Sequence, residues 1–134
     1  MHYVALIHKD PGSAYGVSFP DLPGCYSAGD TLEEATRNAT EGLGAFVRWM
    51  ESDGDPVPPP RGPDEIVAAP ELAESRDGAT LVLVPLVRDL GSTTRINVSL
   101  DLGLLEAIDS EARQRKQTRS AFIASAVRKE IRGA

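Results

Sequence analysis

The last 42 residues of the chain, 93–134, contain one strand pattern followed by two helical patterns. A single copy of this segment cannot form a stable fold by itself. Ile96, Val98 and Leu100 alternate with polar residues, so they share one face of a strand. A lone strand leaves its backbone donors and acceptors unpaired. Domains below about 40 residues usually need a disulfide, a metal or a partner, and this segment has no cysteine or histidine. We therefore expect two copies to pair these strands antiparallel across a two-fold axis, with four helices closing a shared core.

The polar face of the same strand is formed by Thr93, Arg95, Asn97 and Ser99. A two-stranded ribbon fits the major groove of DNA, where arginine binds guanine, asparagine binds adenine and serine accepts several bases. Arg95, Asn97 and Ser99 are therefore the candidate base-reading residues, and the short Ser99 is the least specific of them. The pattern alone leaves an alternative open, an ordinary half-buried strand with a solvated polar face.

A second group of residues in this segment is suited to contacts with DNA phosphates. Thr118 is predicted to cap the second helix, although Ala121 stands where a glutamate would complete the capping box. The free amides of Arg119 and Ser120 at that helix start are suited to a phosphate. Lys116 and Arg119 add positive charge, and Thr93 is predicted to contact phosphate from the start of the strand.

These pieces together resemble the ribbon-helix-helix family of bacterial repressors. The matching motifs are R-I-N-V-S-L (95–100), L-L-E-A-I-D-S-E-A (104–112) and T-R-S-A-F-I (118–123). The resemblance implies a homodimer, possible association of dimers into a tetramer, and an operator that is an inverted repeat. The apolar positions expected in the dimer core are Ile96, Val98, Leu100, Leu105, Ile108, Phe122, Ile123 and Val127.

The net charge of −6 conceals an asymmetry between the two ends of the chain. Residues 1–92 carry six basic and fifteen acidic side chains, a net charge of −9, and residues 93–134 carry eight basic and five acidic, a net charge of +3. The basic end suits phosphate, and the acidic end suits a basic protein. Acidic surfaces also serve solubility alone, so the split supports two modules without identifying their partners.

The first module has the pattern β-β-β-α-β. Strands are predicted at 3–8, 14–19, 25–28 and 79–88, and a helix begins at Asp30-Thr31 and ends before 53. Pro85 marks the last strand as an edge or a bulge. The fold class is therefore α+β, with a module at 1–88, a hinge at 89–92 and the strand-helix-helix segment at 93–134.

Two motifs of this module, S-F-P-D-L-P-G-C (18–25) and G-D-T-L-E-E-A (29–35), resemble the N-terminal domain of HicB antitoxins. The resemblance implies a degraded RNase H-like fold that binds a HicA-type toxin, a small basic mRNA interferase, and covers its active site. It implies an antitoxin that also represses its own operon, needs no cofactor and is not an enzyme.

Two other functions are alternatives to the antitoxin. A ligand-responsive ribbon-helix-helix repressor needs a ligand or metal cluster, which the sequence does not show. An RNase H-like nuclease needs convergent carboxylates from adjacent strands, whereas Asp10 and Asp21 lie in turns. No apolar run is long enough to span a membrane. The single cysteine, Cys25, is expected to be a buried thiol and favours the reducing cytoplasm, and Trp49 is expected in the core.

Overall fold

The computed structural model of the chain describes residues 1–88 and 93–132. The chain forms two compact units, an N-terminal unit, Met1–Leu90, and a C-terminal unit, Gly91–Ala134. The hinge expected at 89–92 lies outside the described residues. Across those residues, no helix is both long and apolar enough to cross a bilayer.

The N-terminal unit is built on a four-stranded antiparallel sheet with the strand order β3-β2-β1-β4. The strands are β1 (His2–Lys9), β2 (Tyr15–Ser18), β3 (Tyr26–Gly29) and β4 (Thr80–Pro85), and the predicted order of three strands, a helix and a strand is observed. β4 is an edge strand, and Pro85, which has no N–H to donate, stands at its end.

The helix α1 (Leu32–Ser52) packs on the sheet through a stripe of residues four positions apart. Ala35, Ala39, Leu43 and Val47 are all 0% exposed, and the two alanines let the helix backbone approach the strands closely. The strand residues of the same core cluster are Tyr3, Ala5, Ile7, Val17 and Val84, and Cys25, just before β3, belongs to the cluster too. This stripe fixes which face of α1 is buried and which faces solvent.

Hydrogen bonds fix both ends of α1. Thr31, one of the two residues at the predicted start of the helix, is the N-cap, and its hydroxyl accepts a hydrogen bond from the amide of Glu34 at 3.1 Å. At the other end Gly54 takes a φ of 79°, and the amide of Asp55 donates to the carbonyl of Met50 at 3.0 Å. This is the Schellman arrangement, in which a left-handed residue satisfies the last carbonyls of a helix.

The central strand β1 is buried on both of its faces. Val4 and Leu6 point away from the α1 side, yet each is 1% exposed. The connection between α1 and β4 contains α2 (Pro63–Ala68), a short 3-10 turn and α3 (Ala73–Arg76). Ile66 of α2 is 0% exposed, and the guanidinium of Arg76 donates to the carbonyls of Ile66 and Ala69.

The C-terminal unit contains the helices α4 (Leu102–Gln114) and α5 (Arg119–Arg132). Asp101 caps α4 by accepting from the amide of Leu104 at 3.0 Å, and Thr118 caps α5 by accepting from the amide of Ala121 at 3.1 Å. Residues 93–100, expected as a strand, form neither strand nor helix in the single chain. A strand requires a pairing partner, and the described part of this chain supplies none.

Two glycines in α1 give a matched test of its packing. A Cβ added at Gly44 would lie 2.6 Å from the backbone carbonyl oxygen of Val87, whereas a Cβ at Gly42 would meet only ordinary contacts at 3.8 Å or more. In a helix interior alanine is favoured over glycine by about 1 kcal/mol. We expect Gly42→Ala to raise the free energy of unfolding by about that amount, and Gly44→Ala to lower it, as measured by urea unfolding.

Candidate nucleic-acid interface

The predicted reading residues and the predicted core residues of 93–100 are all exposed. Ile96 is 74% exposed, Val98 64% and Leu100 40%, so an alternating apolar set lies open to solvent. Arg95 and Asn97, which alternate with them, are exposed too. An exposed apolar row of this length is typical of a surface that another chain covers.

The residues expected in the dimer core fall into two groups in the single chain. Ile96, Val98, Leu100 and Val127 are exposed, whereas the other four, which lie on α4 and α5, are partly buried: Leu105, Ile108, Phe122 and Ile123. Leu102 and Leu104 are also exposed, at 70% and 47%, and sequence reasoning missed both of them. Their positions in the first turn of α4, directly after the apolar strand pattern, were the available signal.

The connection between α4 and α5 is a second Schellman arrangement, with a lysine in the left-handed position. Lys116 has a φ of 54° and is the one non-glycine residue with a positive φ in the described ranges. The amide of Gln117 donates to the carbonyl of Ala112 at 2.8 Å, and the amide of Lys116 donates to that of Arg113 at 3.1 Å. The backbone therefore holds Lys116, one of the predicted phosphate contacts, in a fixed place beside the start of α5.

The predicted phosphate residues near α5 differ in whether the side chain is already engaged in an ion pair. Lys116, Thr118 and Ser120 are exposed. Arg119 is exposed as well, but its guanidinium donates two hydrogen bonds to the carboxylate of Asp109, at 2.8 and 2.9 Å. These bonds hold the pKa of Asp109 below its ordinary value and raise the pKa of Arg119. The ion pair therefore persists at neutral pH and is lost only as the pH falls into the acid range. A phosphate that binds Arg119 would have to compete with Asp109 for its guanidinium.

The carboxylate of Asp21 has a structural partner that sequence reasoning missed. Its two oxygens accept from the backbone amide and from Nε of Arg61, each at 2.7 Å, and the side chain of Asp21 is 7% exposed. Arg61 also pairs with Glu71 at 3.0 Å. Together with the hydrogen bond from the Tyr3 hydroxyl to the carbonyl of Pro58, this contact holds the proline-rich segment 56–62 against β1 and the turn between β2 and β3.

No group of three or more metal-ligating side chains occurs within 1–88 or 93–132. The carboxylate of Asp21, one of the two weighed for the rival nuclease, is bonded to Arg61.

Two other expectations about the N-terminal unit had opposite outcomes. Cys25 is buried, which confirms the expectation of a buried thiol, and desolvation raises the pKa of this thiol to about 11. The expectation that Trp49 lies in the core is wrong, because Trp49 is 57% exposed. Phe46, one turn earlier, packs against the core instead.

Comparison with known proteins identifies the family of this two-unit chain. A family described as "HicB_like antitoxin of bacterial toxin-antitoxin system" matches residues 3–127. An uncharacterized 14.9 kDa protein of the rep-hol intergenic region of Haemophilus phage HP1 is 36% identical over 109 residues, which are 81% of this chain and 80% of that protein. The chain therefore belongs to the HicB-like antitoxins of bacterial toxin–antitoxin systems.

Solved structures of the same family resemble the whole chain or a large part of it. The antitoxin HicB of Burkholderia pseudomallei is 36% identical, with a TM-score of 0.57 over 98% of both chains. A chain of a HicA3–HicB3 toxin–antitoxin complex is 31% identical, with a TM-score of 0.54, and the match covers 65% of this chain and 99% of that one.

The left-handed conformation of Lys116 predicts a stabilising substitution. A left-handed backbone costs a non-glycine residue about 1–2 kcal/mol, and the greater freedom of glycine in the unfolded chain offsets part of the gain. We expect Lys116→Gly to stabilise the C-terminal unit by about 0.5–1 kcal/mol, measured by calorimetry at fixed chain concentration. Lys116→Ala is the matched control, since it removes the same charge but keeps the Cβ, and it should give no such gain.

Proposed function

We propose that this chain is an antitoxin with two binding functions, one in each unit. Residues 1–88 bind and neutralise a HicA-type mRNA interferase, and residues 93–134 form a dimeric ribbon-helix-helix that binds operator DNA and represses the toxin–antitoxin operon. The observation that carries the proposal is the family match, which runs from residue 3 to residue 127 and so spans both units. We place the function in the cytoplasm, where a single buried thiol such as Cys25 stays reduced.

Charge and topology support the assignment of the N-terminal unit to the toxin. A chain related to this one occurs in a complex of a HicA3 toxin with a HicB3 antitoxin. The charge of −9 on residues 1–92 steers a basic protein toward this part of the chain, while apolar contacts set the affinity. The β-β-β-α-β order is the one expected for a degraded RNase H-like module, and Asp21, a candidate nuclease carboxylate, is held by Arg61.

The exposed alternation of residues 93–100 supports the assignment of the C-terminal unit to DNA. Pairing this segment with its copy would satisfy its backbone hydrogen-bonding groups and bury the exposed apolar row against α4 and α5. The same pairing would leave Arg95, Asn97 and Ser99 on the outer face of a two-stranded ribbon, which is the geometry that enters the major groove. An inverted-repeat operator follows from the two-fold symmetry of such a dimer.

Co-expression with the toxin tests the first function. We expect the product of the adjacent reading frame, a small basic protein, to arrest growth when expressed alone and to be neutralised and co-purified with this chain. Growth arrest that persists when both proteins are present at equal levels would refute the antitoxin assignment. Stoichiometric recovery of a bound metabolite or metal from the purified chain would favour the ligand-responsive repressor instead.

Substitutions on the polar face of 93–100 test the second function. We expect Arg95→Ala and Asn97→Ala each to weaken operator binding by about 1–3 kcal/mol and to relax discrimination at particular base pairs, measured by mobility shift on single-base operator variants. Toxin binding should stay unchanged. Arg37→Ala, an exposed arginine on α1, is the matched control for lost positive charge. Normal operator binding by both variants would show that the reading face is assigned wrongly.

A further inference from the structure

One surface of the N-terminal unit joins an exposed aromatic ring to negative charge. This α1-end surface consists of Phe46, Trp49 and Asp53, which lie on one side of α1 because they are three and four positions apart, together with Asp55. Trp49 is 57% exposed, and its ring centroid lies 5.6 Å from that of Phe46. Phe46 packs against the core, so it fixes Trp49 in place and leaves most of the indole open to solvent.

The negative charge of the α1-end surface is not compensated within the described residues. A helix carries partial negative charge at its carboxyl end, where lysine or arginine is favourable, but α1 has no basic residue in its last turn. The neighbouring Glu51 pairs with Arg88 at 3.3 Å. Across the described ranges, the exposed carboxylates of Asp53 and Asp55 have no hydrogen-bond or ion-pair partner. Arg48, the residue before Trp49, points about 100° away from it around the helix axis, so it lies on another side of α1.

The backbone that carries these carboxylates is fixed before any partner binds. Asp53 is the C-cap of α1, and its amide donates to the carbonyls of Trp49 and Glu51. The Schellman arrangement at Gly54 then fixes the direction of Asp55. Two carboxylates are thus placed at the negative pole of a 21-residue helix, where they lower the stability of the free protein. This cost is recovered when a cation binds there.

We propose that the α1-end surface is the docking site for the toxin, and that an arginine or lysine of the toxin stacks on Trp49 and pairs with Asp53. This proposal rests on the antitoxin function proposed above. A cation is attracted to the face of an indole ring and forms strong hydrogen bonds with a carboxylate, and one residue of the toxin can do both here. A second copy of the same acidic unit would bring like charges together, so the occupant is a basic protein.

Replacement of the ring tests the aromatic half of the site. We expect Trp49→Ala to weaken toxin binding by at least about tenfold, as a buried aromatic anchor does, measured by isothermal titration calorimetry of the full chain against the toxin of the adjacent reading frame. Val67→Ala is the matched control, because Val67 is exposed to a similar extent, 59%, on α2. It should bind the toxin like the unchanged chain. Circular dichroism of both variants verifies that they are folded.

Neutralising Asp53 should change the stability of the free chain and its affinity for the toxin in opposite directions. Asp53→Asn removes a negative charge from the carboxyl end of α1, so we expect it to raise the Tm of the free chain while it weakens toxin binding, more strongly at low salt than at high salt. A residue with a purely structural role would not stabilise the chain and weaken the complex at once. Asp10→Asn, an exposed charge change in the turn between β1 and β2, is the control for net charge.

The outcomes separate this proposal from the antitoxin function itself. Absence of toxin binding by the unchanged chain would refute the antitoxin function. Toxin binding that is unchanged in both Trp49→Ala and Asp53→Asn would overturn the docking site and leave the antitoxin function standing. A change in the oligomeric state of Trp49→Ala with normal toxin affinity would also overturn it, because Trp49 would then contact another copy of the chain.

Discussion

The close packing of α1 on the antiparallel sheet is the constraint on which the N-terminal unit depends. The buried stripe from Ala35 to Val47 has small residues at its start, so the helix lies near enough to the strands to exclude water. A side chain is excluded at Gly44 as well, because its Cβ would lie 2.6 Å from the carbonyl oxygen of Val87, just after β4. This packing fixes which side of α1 is buried. Trp49 does not lie on that side, so its ring stays exposed to solvent.

The element order of the N-terminal unit could be predicted from local signals because each signal has a local cause. Thr31 is a capping residue, the spacing of the apolar residues of α1 is helical, and Pro85 ends an edge strand. The interaction between Asp21 and Arg61 could not be predicted in this way. The two residues are forty positions apart, and nothing in the turn that holds Asp21 distinguishes a turn-forming carboxylate from a buried ion-pair partner.

The candidate interfaces were predictable to different degrees for a similar reason. Alternation predicts that Arg95 and Asn97 lie on the opposite face from Ile96 and Val98, and this stays a prediction because residues 93–100 form no strand in the single chain. The exposure of Trp49 was missed, because helical spacing alone cannot say how wide the buried stripe of α1 is. Arg119 is predicted from its charge and position to bind phosphate. Its partner Asp109 lies ten residues earlier on another helix, and only the fold shows this pair.

The ion pair between Arg119 and Asp109 has a consequence for the thermodynamics of binding to a polyanion. A lysine or arginine that neutralises a phosphate normally releases a condensed counterion into bulk solution, and this release makes affinity fall as salt rises. An arginine that arrives already neutralised by a tethered carboxylate exchanges one anion for another and leaves a carboxylate beside the phosphates. Arg119 would therefore add geometric selectivity to a nucleic-acid complex while adding little to its salt dependence, in contrast with the exposed Lys116.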